Sequence, residues 1–174
     1  MTDLPGLETQ LEPLLRLFIA LALGAAVGWE RELQRMPAGF RTHALVGLGS
    51  ATFTVVSALA FAGPLTDPTR IAAQIVTGVG FLGGGAILHY RGSVRGLTTA
   101  ASLWAVAAVG MAAGAGLYAI AIGGAALVIV TLELLDRVEK YARRRWDRGT
   151  TPGADHVPEE GPDEGPDADE EEMR

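Results

Sequence analysis

No cysteine occurs anywhere in the chain, so a disulfide framework, a thiolate metal site and a thiol nucleophile are all excluded. Charge is missing on a larger scale. Residues 43–62 hold one histidine and some Ser and Thr but no acid or base, and residues 96–132 hold no charge either. A helix resting on a water-soluble core carries a charged stripe at a period of about 3.6 residues. These stretches have none, which excludes a soluble bundle and points to lipid. The first thirteen residues also lack Lys and Arg, and contain Asp3, Glu8 and Glu12 instead. A secretory leader opens on a basic stretch, so the first apolar run is expected to stay in the mature protein.

What is present is unevenly placed. Of 174 residues 49% are hydrophobic and 23 are glycine, while ten of the twenty acids fall in the last 24 positions. The formal charge of −6 therefore describes a tail, because the rest of the chain holds 13 basic and 10 acidic residues. Beyond Gly149 the sequence is mainly Pro, Gly, Asp and Glu with little to bury, so 150–174 is expected to be disordered.

Crossing the hydrocarbon core takes about 20 apolar residues at a rise of about 1.5 Å each. Five segments meet or approach that length: 14–29, 40–62, 69–89, 97–113 and 117–135. The third opens after Asp67-Pro68, an N-cap followed by a first-turn proline. Short links make neighbouring segments antiparallel hairpins. The expected fold class is therefore all-α, a polytopic integral membrane protein of about five transmembrane helices. The first thirteen residues form a short extracytoplasmic N-terminus in this reading, and 14–135 the membrane domain. A basic juxtamembrane helix over 136–149 precedes the tail, with Glu133/Arg137, Asp136/Lys140 and Glu139/Arg143 spaced for favourable i,i+4 pairing.

Orientation follows from the basic residues. Arg31, Arg35, Arg41, Arg91, Arg95 and the six after the last span fall on one side, against Arg16 and Arg70 on the other. Positive charge stays in the cytoplasm, so the N-terminus is expected outside and the C-terminus inside.

Gly78-Val-Gly80-Phe-Leu-Gly83 matches a dinucleotide fingerprint in spacing only. That fingerprint needs a preceding strand and an acid about twenty residues on, and the next acid here is Glu133. Close helix packing is the better reading, with Gly78, Gly80, Gly83, Gly84 and Gly85 as the contact face and a local helix break at 83–85 as an option. Charges at span ends are costly to bury without partners. Glu30, Arg41 and Arg95 share one side in this topology and could join three helices by ion pairs. Gln74 is the one amide placed to act within the bundle. Magnesium favours carboxylates and water, and no carboxylate lies mid-span. His43, His89 and His156 are scattered, so no catalytic triad is visible and an enzyme is not expected.

Five segments taken together resemble the membrane domain of the MgtC/SapB family across 14–135. They are Leu23-Gly24-Ala-Ala-Val-Gly28-Trp-Glu30-Arg31-Glu32, Ala38-Gly39-Phe-Arg41-Thr42-His-Ala-Leu-Val-Gly47, Asp67-Pro68-Thr-Arg70-Ile-Ala, Thr77-Gly78-Val-Gly80-Phe-Leu-Gly83 and Val94-Arg95-Gly96-Leu97-Thr98-Thr99-Ala100-Ala101-Ser-Leu-Trp104. The resemblance implies a multi-pass protein of the bacterial inner membrane, linked to growth under magnesium limitation and to survival of pathogens inside host cells. It implies a regulator, with the proton-translocating ATP synthase as one suggested target; action through helix contacts with a membrane partner or with a second copy of the chain is expected, with no cofactor and no nucleic acid. Many family members carry a folded cytoplasmic domain after the last span, where this chain has a basic helix and an acidic tail. The polar set expected to carry function is Glu30, Arg31, Glu32, Arg41, Thr42, Asp67, Arg70, Gln74, Arg95, Thr98 and Thr99. The rival expectations are a cation transporter or channel, oligomeric in one form, and a structural module whose tail recruits cytoplasmic proteins.

Overall fold

A computed structural model describes residues 7–60, 67, 69–90 and 93–147. The first six residues, Arg91, and the tail expected to be disordered from 150 onward lie outside the described residues. The described residues form five long helices: α1 (Leu7–Leu33), α2 (Phe40–Ala60), α3 (Thr69–Ala86), α4 (Leu97–Gly114) and α5 (Tyr118–Asp147). The all-helical reading holds, with one addition. Between α3 and α4 the link is a small antiparallel hairpin, β1 (Leu88–Tyr90) with β2 (Ser93–Arg95), pairing His89 with Val94. Helix α3 therefore ends at Ala86, short of the His89 boundary expected from sequence, and runs through Gly83–Gly85 without a break.

Among the described residues, four helices are long and apolar enough to cross a membrane: the spans at Gln10–Leu33, Phe40–Ala60, Leu97–Gly114 and Tyr118–Ala142. The fifth expected span, α3, falls short in composition. Its 18 residues reach about 27 Å, but Arg70, Gln74 and five glycines dilute its apolar content.

Two sharp reversals fix the hairpins. At the end of α1 the Met36 N–H reaches the Arg31 carbonyl (3.0 Å) and the Arg35 N–H reaches that of Glu32 (3.0 Å), with Arg35 at φ 57°. The end of α4 repeats the motif, Leu117 N–H to Ala112 and Gly116 N–H to Ala113, with Gly116 at φ 79°. Both are Schellman closures, which satisfy the last helical carbonyls through a left-handed residue. Glycine adopts that conformation freely and Arg35 does not. Edge-to-face packing of Trp29 on Phe40, centroids 6.1 Å apart, clasps the first reversal.

The core is built from small residues. Ala20, Val27, Ala51, Val106, Val109, Ala113, Ala121 and Ala125 are buried together where α1, α2, α4 and α5 meet. Helices α2 and α4 run in the same direction: His43 meets Ser102, Gly47 backs onto Gly110, and Ala51 onto Gly114. Helix α1 runs opposite to α2, with Gly28 against Phe40 and Gly24 against His43. Helix α3 lies antiparallel on α4, where Ile75 and Val79 pack with Ala107 and Gly83 touches Ala100.

The glycines that bring helices together are thus Gly24, Gly28, Gly47, Gly110 and Gly114, not those of α3. A Cβ on Gly78, Gly80, Gly84 or Gly85 would meet open space, and only Gly83 of the expected contact face touches a neighbouring helix. The reason is rotational: Ile75, Val79 and Gly83 face α4, and the other glycines point away from it.

Beyond Asp136 the described chain continues as helix α5 as far as Asp147. The helical extension expected there is present.

Candidate functional site

At the end of the bundle where α1 finishes and α2 and α4 begin, six polar side chains are gathered. The last turns of α1 supply Glu30, Arg31 and Gln34. Arg31 is 2% exposed and Glu30 7%, depths at which a charge must be paired. The guanidinium grips the carboxylate with two bonds, Nε to Oε2 at 2.5 Å and Nη2 to Oε1 at 2.8 Å. The Gln34 amide also donates to Oε1. Glu30 thus pairs with its own chain neighbour. The expected ion pairs from Glu30 to Arg41 and Arg95 do not form, because both arginines are exposed while Glu30 is enclosed by Arg31 and Gln34.

The centre of this cluster lies outside the polar set expected from the sequence. His43 is fully buried. Its Nδ1 lies 2.9 Å from the Gly39 carbonyl, which can only accept, so Nδ1 carries a proton. On the other side Nε2 is 3.0 Å from the Ser102 hydroxyl, which is itself 2.8 Å from the Thr99 carbonyl. The hydroxyl has one proton for two acceptors. With neutral imidazole it goes to Nε2; with imidazolium Nε2 donates to Ser102, which then donates to Thr99. Either protonation state would therefore leave both ring nitrogens hydrogen-bonded. No buried side-chain polar atom among the described residues lacks a partner. A usable signal was in the sequence: a lone ionisable residue inside an uncharged span is a functional candidate by default.

The remaining candidates are dispersed. Thr99 joins the buried cluster. Glu32 is exposed, and its Oε2 accepts the Phe40 N–H at 3.2 Å, capping α2 across the link. Arg95, at the end of β2, and Thr98, in the first turn of α4, are exposed. Arg41, Thr42 and Gln74 line a groove of about 800 Å³ between α2 and α3, whose walls include Leu45, Phe53, Ile71 and Leu82. Neither Arg41 nor Gln74 makes a hydrogen bond or ion pair among the described residues.

Asp67 and Arg70 sit at the far end of the bundle, at the start of α3. There Asp67 Oδ1 accepts from the Thr69 hydroxyl (2.7 Å) and the Thr69 N–H (2.9 Å), the expected cap; Pro68 lies outside the described residues. The same end holds a second tie, Arg16 pairing with Glu12 at 2.6 Å and donating to the Gly114 carbonyl at 3.0 Å. The Thr69 hydroxyl, then its N–H, and the nearby Arg70 hold the Asp67 carboxyl below its ordinary value of 3.8. A depressed carboxyl contributes stability that is complete above the unfolded value and lost as pH falls through the folded one. Hydrogen exchange at the Thr69 amide is therefore expected to accelerate as pH drops below 3.8, beyond the intrinsic trend, and Asp67→Ala should abolish that acceleration. A pH-independent protection factor in the unsubstituted chain would contradict the cap.

No group of three or more His, Cys, Asp or Glu among the described residues could hold a metal ion. Comparison with known proteins settles the ancestry. Residues 17–141 match the MgtC family. The chain belongs to that family. It is 44% identical over 133 residues to a protein of Escherichia coli (strain K12) named "Putative magnesium transporter YhiD", covering 73% of this chain and 62% of that one. It is 47% identical over 116 residues to "Protein MgtC" of Brucella abortus (strain 2308), covering 67% of this chain and 48% of the relative. The chain thus spans about half to three-fifths of these relatives' lengths. No solved structure matches. The MgtC-family match includes both the buried cluster and the groove.

Proposed function

We propose that this MgtC-family chain is a multi-pass protein of the bacterial inner membrane that regulates magnesium homeostasis through contacts with a membrane partner, not through catalysis. Five crossings are part of the proposal. Helices α2 and α4 run in the same direction, so a chain crossing the membrane in both must return between them, and α3 is the segment that lies antiparallel to both. With that count, eleven of thirteen basic residues upstream of the tail fall on the side of the C-terminus, which the positive-inside rule assigns to the cytoplasm.

One observation carries the regulatory reading. The carboxylate buried in the bundle, Glu30, is neutralised by Arg31 and Gln34, and the groove between α2 and α3 is lined without a carboxylate. A path for a hydrated divalent cation wants free oxygen ligands along it. The name of the Escherichia coli relative favours the rival reading, magnesium transport, and flux decides between them. Purified protein in proteoliposomes loaded with a magnesium indicator should give no flux above empty vesicles. Flux lost on Asp67→Asn or Glu30→Gln would replace regulation by transport. In cells limited for magnesium, Arg41→Gln and Asp67→Asn should abolish complementation while leaving membrane insertion intact.

A further inference from the structure

The groove between α2 and α3 has the form of a lipid site. Its walls are apolar, and Gly49 and Gly78, where a Cβ would touch nothing, leave it open in the middle. Leu45, Phe53, Gln74 and Leu82 are exposed along it, so it opens sideways into the bilayer. One end is cationic. Arg41 stands in the first turn of a 21-residue span, at headgroup depth, with the Thr42 hydroxyl beside it.

That guanidinium is unneutralised among the described residues. The acids nearest in sequence are engaged elsewhere, Glu30 by Arg31 and Gln34, and Glu32 by the Phe40 N–H. From Arg41 to Phe53 the groove follows α2 for about 18 Å. One leaflet's hydrocarbon is about 15 Å deep, so an acyl chain entering beside Arg41 fits the length.

We propose that the α2–α3 groove holds one acyl chain of an anionic phospholipid whose phosphate is bound by Arg41 and Thr42. Charge selects the headgroup, since a basic residue at the membrane surface attracts anionic lipid, and the apolar walls hold the chain. The inference needs only that α2 crosses the membrane. It stands whether the protein regulates or transports.

The full chain in detergent micelles, titrated with phosphatidylglycerol or phosphatidylethanolamine and read by native mass spectrometry, provides the test. One phosphatidylglycerol per chain should be retained in preference to phosphatidylethanolamine. Arg41→Gln should reduce that preference about fivefold, the ratio set by one basic residue at a surface. Gly78→Leu, which fills the groove, should lose both lipids at unchanged helicity, and Gly49→Leu serves if the first variant does not fold.

Equal retention of the two lipids, or wild-type retention by both filled variants, would overturn the proposal. Displacement of phosphatidylglycerol by inorganic phosphate alone would do so too, by reducing the site to its headgroup. A disulfide-linked dimer of Phe53→Cys in phosphatidylglycerol vesicles would put a second copy of the chain in the groove instead.

Discussion

Arg31→Leu should lower the stability of the folded chain by about 3–5 kcal/mol, the cost of removing one member of a buried ion pair. The arginine is enclosed at the end of α1, and its loss strands the Glu30 carboxylate with one amide donor from Gln34. The penalty is that of an uncompensated buried charge, and it exceeds what the intact pair contributes. Removing both charges together should therefore hurt less than removing one. The double variant Glu30→Gln with Arg31→Met is expected to recover most of the loss, giving a large favourable coupling in a double-mutant cycle. Denaturant titration in micelles, followed by far-ultraviolet circular dichroism, measures all four corners. If Arg31→Leu cost less than about 1 kcal/mol, the pair would have to be solvated, and its burial in the bundle would be wrong.

The second large effect belongs to the crossing of α2 and α4. A Cβ on Gly110 would lie 3.0 Å from both the carbonyl carbon and the Cα of Gly47, and closer still to its oxygen. The obstruction is backbone, which cannot rotate aside, so the helices must separate. Gly47 is pinned from its other side as well, where a Cβ would come within 2.8 Å of the Ala20 carbonyl on α1. Gly110→Ala should cost about 1–3 kcal/mol as overpacking, and Gly110→Leu should prevent the bundle from assembling. The glycines of α3 give the contrast. Gly80→Ala and Gly84→Ala add a methyl to open space and should each stabilise the helix by about 0.5–1 kcal/mol through backbone entropy. Thermal unfolding of the three alanine variants separates the two classes. Equal destabilisation at Gly80 and Gly110 would mean that α3 has a partner helix on its outer face.

Arg31 was singled out from sequence because a charge at the end of an apolar run needs a partner. The partners expected for Glu30 are Arg41 and Arg95, and the structure gives it Arg31 instead. Charge pattern names residues that must be compensated, but Glu30 could be reached from Arg31, Arg41 or Arg95, and the rotation of α1 about its axis made the choice. His43 was passed over because its partners are a backbone carbonyl four residues away and a serine 59 residues away, neither of which leaves a mark in composition. The glycines show the same limit. Small residues every three or four positions occur on α1, α2, α3 and α4 alike, and spacing alone does not say which faces meet.

The sequence by itself determined the helices, their apolar character and the family. Long uncharged stretches can satisfy their backbone polar groups in a bilayer only by coiling, and the Asp67 cap and the reversal around Gly114–Gly116 are local chemistry. Tertiary structure alone decided which residues are inside. Helix contacts in lipid depend on shape, not on hydrophobic segregation, so the bury-or-expose pattern that reveals a soluble core is absent from these spans. Only the packed bundle shows Gly47 against Gly110, His43 between Gly39 and Ser102, and a groove that ends on Arg41.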